Sequence, residues 1–159
     1  MITVWGRRSS VNVQKVLWTL AELEIPFTQE SVGGSFGGNR DADYLLMNPN
    51  GLVPVIRDGD VTMFESNAIV RYLAARFGEG SLRPSDHRAL ALAEQWMEWQ
   101  QSTFAPAVGA IFFNKVRLPA EKRANREWHY VLLSEATFYE WRDKNARMAE
   151  MLDFARLRG

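Results

Sequence analysis

Residues 49–73 read PNGLVPVIRDGDVTMFESNAIVRYL, from Pro49 to Leu73. Two short apolar runs, Val55 to Arg57 and Val61 to Phe64, flank Asp58-Gly59. An Asp-Gly pair between such runs marks a tight hairpin. A helix over Ser66 to Phe77 follows at once. The difficulty is Pro54, set between two valines at the head of the hairpin. Proline cannot donate to a ladder, so it belongs on an edge strand or at a strand's first residue. Two readings are open. A trans Pro54 starts an ordinary strand. A cis Pro54, for which an X-Pro bond costs only ~0.5–1 kcal/mol, turns Val53 outward, so that its N–H and C=O can pair with an extended peptide.

Two flanking features bear on that choice. Glu65-Ser66 lies where the next helix begins, and the free N–H groups and positive dipole end there favour a carboxylate. Ser66 can equally be an N-cap. Ser10-Val11-Asn12 places a second pair of small polar residues at the start of the first helix.

Upstream, Ile2 to Trp5 reads as a strand broken by Gly6. Val13, Val16, Leu17, Leu20 and Leu23 then recur at helical spacing between Asn12 and Glu24. Pro26 closes that helix, and Phe27 to Val32 reads as a second strand. The stretch GGSFGGN that follows lacks the Gly-Lys-Ser/Thr ending of a phosphate loop and reads as a mobile loop. The order β-α-β, loop, β-β-α predicts a mixed sheet with helices on its faces.

Gly78 to Asp86 is a linker rich in glycine, proline and serine. Beyond it the strand signals stop. His87 to Phe113 forms one long helical pattern that Pro106 is expected to kink, and Pro119-Ala120 starts another helix. Domains are therefore expected at 1–77 and 87–159, joined by residues 78–86.

The bulk composition excludes several classes. The chain has 159 residues, 47% apolar and 12% aromatic, enough for a real core. Nineteen basic and nineteen acidic residues cancel, which gives no support to a nucleic-acid or membrane-surface partner. The absence of cysteine removes disulfides and any cysteine nucleophile. His87 and His129 are the only histidines, without ligand spacing, so no metal site is expected. No window is apolar enough to span a membrane, and the first residues lack a cleavable leader pattern. The expected compartment is the cytoplasm.

These residues carry a resemblance. The stretch NPNGLVPVIRDGD…FESNAIVRYLA, preceded by SSVNVQKVLWTLAEL, resembles the glutathione S-transferase family, and AEQWMEWQQSTFAP is similar to the start of that family's second domain in bacterial members. The resemblance covers roughly Met1 to Glu127. It implies a thioredoxin-like α/β N-terminal domain followed by an all-helical C-terminal domain, here shortened. It also implies that Val53, with Pro54 in cis, pairs with the cysteinyl part of glutathione. Glu65 and Ser66 hold the γ-glutamyl amine and carboxylate, and Asn39 reaches the glycine carboxylate. The thiol sits beside Ser10 and Asn12, with Ser9 a rival for Ser10. The second substrate is a small electrophile, for which Trp96, Trp99, Phe104, Phe112 and Phe113 are candidate contacts or else ordinary core. Family members are usually two-fold dimers, so a homodimer is expected.

The implied chemistry needs no protein base. A free thiol titrates near ~8.5 and is only a few per cent thiolate at neutral pH. Lowering that value by about two units takes roughly 2.7 kcal/mol. One hydrogen bond to a charged acceptor contributes ~1.5–3 kcal/mol and a helix N-terminus ~0.3–1. Ser10, Asn12 and the first helix together suffice. The other class of function the sequence leaves open is a non-catalytic binding or assembly module that keeps the fold.

The end of the chain departs from the family pattern. Residues 87–127 are family-like, whereas 128–159 form an atypical tail. Within it, Ser134 to Met148 resembles the recognition-helix segment of insertion-element transposases, or is simply an amphipathic helix. Arg142, Lys144, Arg147, Arg156 and Arg158 are offset there by Glu140, Asp143, Glu150 and Asp153, which is no basis for a DNA reader.

Overall fold

The structure, a computed structural model, describes residues 1–123, without the side chains at 110 and 111. The expectations for the 128–159 tail, including its transposase-like helix, lie outside the described residues.

Four strands, β1 (Ile2–Trp5), β2 (Phe27–Glu30), β3 (Val55–Asp58) and β4 (Val61–Phe64), form one mixed sheet in the order β2-β1-β3-β4. β1 pairs parallel with β2 and antiparallel with β3, and β3 pairs antiparallel with β4. The parallel pair is joined through helix α1 (Val11–Glu22), as a parallel connection requires. The antiparallel pair is joined at Asp58-Gly59-Asp60, where the sequence places the hairpin. Helix α3 (Ser66–Phe77) follows β4 directly. The mixed sheet expected from the alternation of signals is the one observed, in the thioredoxin-like arrangement that the resemblance implies.

The helical spacing in α1 places Val13, Val16 and Leu20 on one buried stripe, and α3 buries Ile69 and Leu73. Val16, Leu20, Ile69 and Leu73 meet Ile2, Val4 and Ile56 from the sheet in a single core. At the far end of the hairpin, Tyr72 donates its hydroxyl to the nearly buried Asp58 (2.9 Å), and Arg76 Nε lies 3.2 Å from the same carboxylate. Asp58 thereby locks the β3–β4 turn to α3, so the helix start is held in place relative to the strands.

The structure differs from the sequence reading in four places. β2 ends at Glu30, two residues short of Val32, whose carbonyl instead accepts from the Arg7 N–H. The glycine-rich stretch contains a 3₁₀ turn over Gly34–Phe36, with the Gly33 N–H donating to the Gly37 carbonyl at 2.7 Å. A short helix, α2 (Ala42–Met47), follows it and buries Tyr44. Its six residues are too few to set a periodicity. Finally, the long helix is interrupted. Helix α4 (His87–Trp99) opens with Asp86 as its cap, whose carboxylate accepts from the Ala89 N–H at 2.8 Å. It gives way to a π-helical turn over Gln100–Phe104 before helix α5 (Ala105–Phe112), and a second π turn spans Phe113–Arg117. Pro106 has no N–H for the carbonyl one turn back, and the wider turn just before it is where the chain absorbs that loss.

The chain divides into a compact unit Met1–Met97 and a second that begins at Glu98. Residues 78–86 and most of α4 therefore go with the first unit. Arg71 on α3 faces Glu94 on α4 at 3.9 Å within it. In the second unit the rings of Trp99 and Phe104 stack with centroids 5.7 Å apart, and Arg117 lies over Phe112. Among the described residues, no helix is long and apolar enough to cross a membrane.

Gly6 ends β1 in a conformation with φ +155°, and a Cβ there would meet Val13 Cγ2 at 2.5 Å. At Gly59 in the hairpin turn (φ +60°) a Cβ meets nothing within 4 Å. Gly59→Ala should therefore cost about 1–2 kcal/mol from backbone strain alone. Gly6→Ala adds overpacking of typically ~1–3 kcal/mol. Chemical denaturation of both variants checks this, and equal losses would contradict the packing assigned to Gly6.

Candidate functional site

The register of the sheet brings the candidate residues to one end. Trp5 pairs with Glu30 on one side and Val55 on the other, and Val55 pairs with Phe64. Glu30, Trp5, Val55 and Phe64 thus form one row across all four strands. The chain leaves or enters the sheet next to that row at Gly6, at Val53-Pro54 and at Glu65. Ser10 and Asn12, Val53, and Glu65 with Ser66 are all carried by these adjoining segments. Positions more than 50 residues apart in sequence are neighbours here.

Val53 lies just outside β3, and the Val53–Pro54 peptide is cis. Its N–H and C=O have no hydrogen-bond partner among the described residues. This is an unpaired stretch of extended backbone beside the sheet, of the kind an added strand uses. The segment leading to it is held by side chains. Tyr44 donates its hydroxyl to the Leu52 carbonyl at 2.7 Å, and Asn48 donates its side-chain amide to the same oxygen at 2.8 Å. Asn39 donates its side-chain amide to the Gly51 carbonyl at 2.8 Å. Asn39 is therefore engaged in shaping the loop that ends in Val53.

At the start of α3, Ser66 is buried, only 7% exposed. Neither its N–H nor its hydroxyl has a partner among the described residues. A buried polar pair left open costs roughly 1–3 kcal/mol unless something fills it. Glu65 precedes it with φ +71°, a left-handed backbone that is rare for this residue type. Such local strain clusters at functional positions. The Glu65 side chain is exposed.

At the start of α1, Ser10 occupies the cap position with extended backbone, but its side chain makes no capping hydrogen bond. The hydroxyl usually spent on the helix start remains available. Asn12 is exposed in the first turn of the helix, and Ser9 is exposed before it.

Sequence reasoning missed Lys15. From α1 its amine donates to the Asn67 side-chain oxygen on α3 at 2.8 Å. This bond ties the two helix starts, and so the two ends of the candidate site, across 52 residues of sequence. Burial lowers the Lys15 amine below the ordinary lysine range, and the Glu65 carboxylate opposes that shift. The apolar residues on either side of Lys15 mark it as one position of an amphipathic helix, and nothing local in the sequence distinguishes it. Of the aromatic candidates, Trp99, Phe104, Phe112 and Phe113 belong to the second unit, and Trp96 lies on α4 in the first. Among the described residues, no group of three or more His, Cys, Asp or Glu is gathered to hold a metal.

Residues 5–81 match the family described as glutathione S-transferase, N-terminal domain. The chain is 52% identical over 125 residues to the glutathione S-transferase GstB of Escherichia coli K12, covering 77% of this chain and 60% of that one. It is 28% identical over 153 residues to glutathione S-transferase F6 of Arabidopsis thaliana, covering 96% and 68%. Among solved structures it is similar to the theta class glutathione S-transferase of Xanthomonas axonopodis pv. citri with glutathione bound. That match has a TM-score of 0.74 and 46% identity over 77% of this chain and 59% of that one. The chain thus spans about 60% of the length of the curated relative GstB.

Burial pushes the Tyr44 hydroxyl up to about 12 from its ordinary value of 10.0. The folded state favours the protonated phenol, so its contribution to stability is complete below pH ~10 and is lost as the pH rises towards ~12. Tyr44→Phe should cost about 1 kcal/mol at pH 8 through the lost bond to Leu52. The gap to the wild type should shrink above pH 10, because the phenylalanine has nothing to titrate. Denaturant midpoints at pH 8 and pH 11 check this, and a constant gap would contradict it.

Proposed function

We propose that the chain, whose residues 5–81 match the glutathione S-transferase N-terminal domain, binds glutathione and activates its thiol, for attack on a small electrophile or for thiol exchange. The observation that carries this reading is the buried Ser66, whose N–H and hydroxyl have no partner among the described residues, at the same sheet end as the Val53 backbone, unpaired among those residues. A γ-glutamyl carboxylate meets the first requirement, since it accepts from both Ser66 donors at the positive end of α3. Glu65 offers a carboxylate to the γ-glutamyl amine. Lys15 and Asn67 hold that helix start against α1. The cysteinyl N–H and C=O meet the second requirement by pairing with Val53. Asn39, bonded to Gly51, stands at the glycine end of the peptide.

With the backbone so placed, the sulfur falls beside the start of α1. There the Ser10 hydroxyl and the Asn12 side-chain amide donate to the thiolate, and the helix end favours its charge. The thiol proton leaves to water. The thiolate then forms a carbon–sulfur bond as the electrophile releases its leaving group, or attacks a disulfide and releases the other sulfur as a thiol.

The second reading is a non-catalytic module that keeps the fold and binds glutathione without turnover. We further propose a two-fold homodimer. Its support is α4, which buries no side chain among the described residues and leaves Leu92 exposed. A monomer sedimenting cleanly at micromolar concentration would contradict the dimer.

Calorimetric titration with glutathione, followed by turnover of a generic chloronitrobenzene, tests the main reading. Ser66→Ala should weaken binding about 10- to 100-fold, the loss expected for one hydrogen bond to a charged group. Ser10→Ala and Asn12→Ala should leave binding nearly intact and raise the pKa of the bound thiol. Binding without turnover selects the second reading. Unaltered affinity in Ser66→Ala would sink the assignment of the carboxylate site.

A further inference from the structure

Arg7 is a charged residue beside the site that the reading above leaves unused. Its backbone is fixed on both sides: its N–H donates to the Val32 carbonyl at 3.0 Å, and its carbonyl accepts from the Ser10 N–H at 3.1 Å. Its side chain lies across the backbone of the glycine-rich turn. A Cβ on Gly34 would sit 2.9 Å from Arg7 Cδ and 3.0 Å from Nε. A Cβ on Gly33 would sit 3.3 Å from Arg7 Nη1 and also 3.3 Å from Val53 Cγ1. The guanidinium thus lies along a side-chain-free stretch of backbone that Val53 also borders at Gly33, and Arg7 is half-buried.

No group among the described residues accepts a hydrogen bond from it or pairs with its charge. The next residue behaves differently. Arg8 is exposed, and its Nε donates to the Gln29 side chain at 2.9 Å. Five donors in a rigid plane, partly withdrawn from water and without an acceptor, make an incomplete arrangement. An anion completes it. The turn at 33–38 carries no ionisable side chain, and the first turn of α1 carries no acidic residue. The end of β2 contributes only the exposed Glu30, and Arg8 adds a second positive charge.

We propose that Arg7 supplies the positive charge that favours the thiolate of bound glutathione, acting on the sulfur together with Ser10 and Asn12. This rests on the glutathione reading. A peptide strand paired with Val53 lies about 5 Å from it, and the Arg7 guanidinium borders the same Gly33 backbone that Val53 does. The cysteinyl sulfur, directed towards the start of α1, is then within range of a charge anchored three residues before Ser10. An opposite charge within ~4–6 Å lowers a pKa by about one to three units. No bond is made or broken by Arg7 itself, and the proton it helps to expel goes to water.

Thiolate absorbance of bound glutathione, followed against pH, tests the assignment in the wild type, Arg7→Met and Arg7→Lys, with calorimetry on the same samples to establish that glutathione is bound. Arg7→Met is expected to raise the pKa of the bound thiol by about one unit, cutting the thiolate fraction at neutral pH by up to tenfold. Arg7→Lys is expected to restore most of the shift, because it returns the charge without the planar fork. A side chain that merely props up the glycine turn would not produce that charge-dependent recovery. If Arg7→Met does not fold, Arg7→Gln against Arg7→Lys makes the same comparison. An unchanged thiol pKa in the uncharged variant, with glutathione bound, overturns the proposal. Failure of the wild type to bind glutathione overturns the glutathione reading instead.

Discussion

The structure depends on one row of paired residues, Glu30, Trp5, Val55 and Phe64, at a single end of the sheet. β1 sits between a parallel and an antiparallel neighbour, so its exit point lies beside the exit of β2, the entry of β3 and the exit of β4. Every segment with unspent polar groups leaves the sheet there. A slip of one residue between β1 and β3 would move Ile2 and Val4 out of the core. It would also separate Ser10 from Val53. The apolar contacts among Ile2, Val4, Val16, Leu20, Ile56, Ile69 and Leu73 hold that register, and they thereby position the chemistry.

The same row explains why the site is polar yet unsatisfied. Elsewhere in the first unit, polar groups are paired: Asp58 with Tyr72 and Arg76, Leu52 with Tyr44 and Asn48, Gly51 with Asn39. At the sheet end, the Val53 backbone, the Ser66 donors, the Ser10 hydroxyl and the Arg7 guanidinium have no such partners among the described residues. The proposed ligand, an extended and anionic peptide, offers partners for these groups. The flanking strain at Glu65 is of one piece with that pattern.

Much of this was legible in the chain before its coordinates. Asp58-Gly59 located the hairpin, the alternation of strand and helix patterns defined a mixed sheet, and Val53-Pro54 with Glu65-Ser66 pointed to the sheet end proposed here to bind. What stayed hidden shares a physical character. Lys15 to Asn67 and Tyr44 to Leu52 are contacts between side chains whose local patterns announce only a helix face. Arg7 gains its meaning from the bare backbone of Gly33 and Gly34, which composition alone presents as a loop. The π turn just before Pro106 is a widening of the helix that the apolar pattern alone does not announce.

The central claim is that Val53 and Ser66 are the two ends of one peptide-binding edge. Backbone amide resonances of the protein, followed during titration with glutathione, test it most directly. The account expects the Val53 and Ser66 amides to shift the most and to gain protection from exchange, together and at the same ligand concentration. Saturable glutathione binding that leaves both amides unchanged would contradict it.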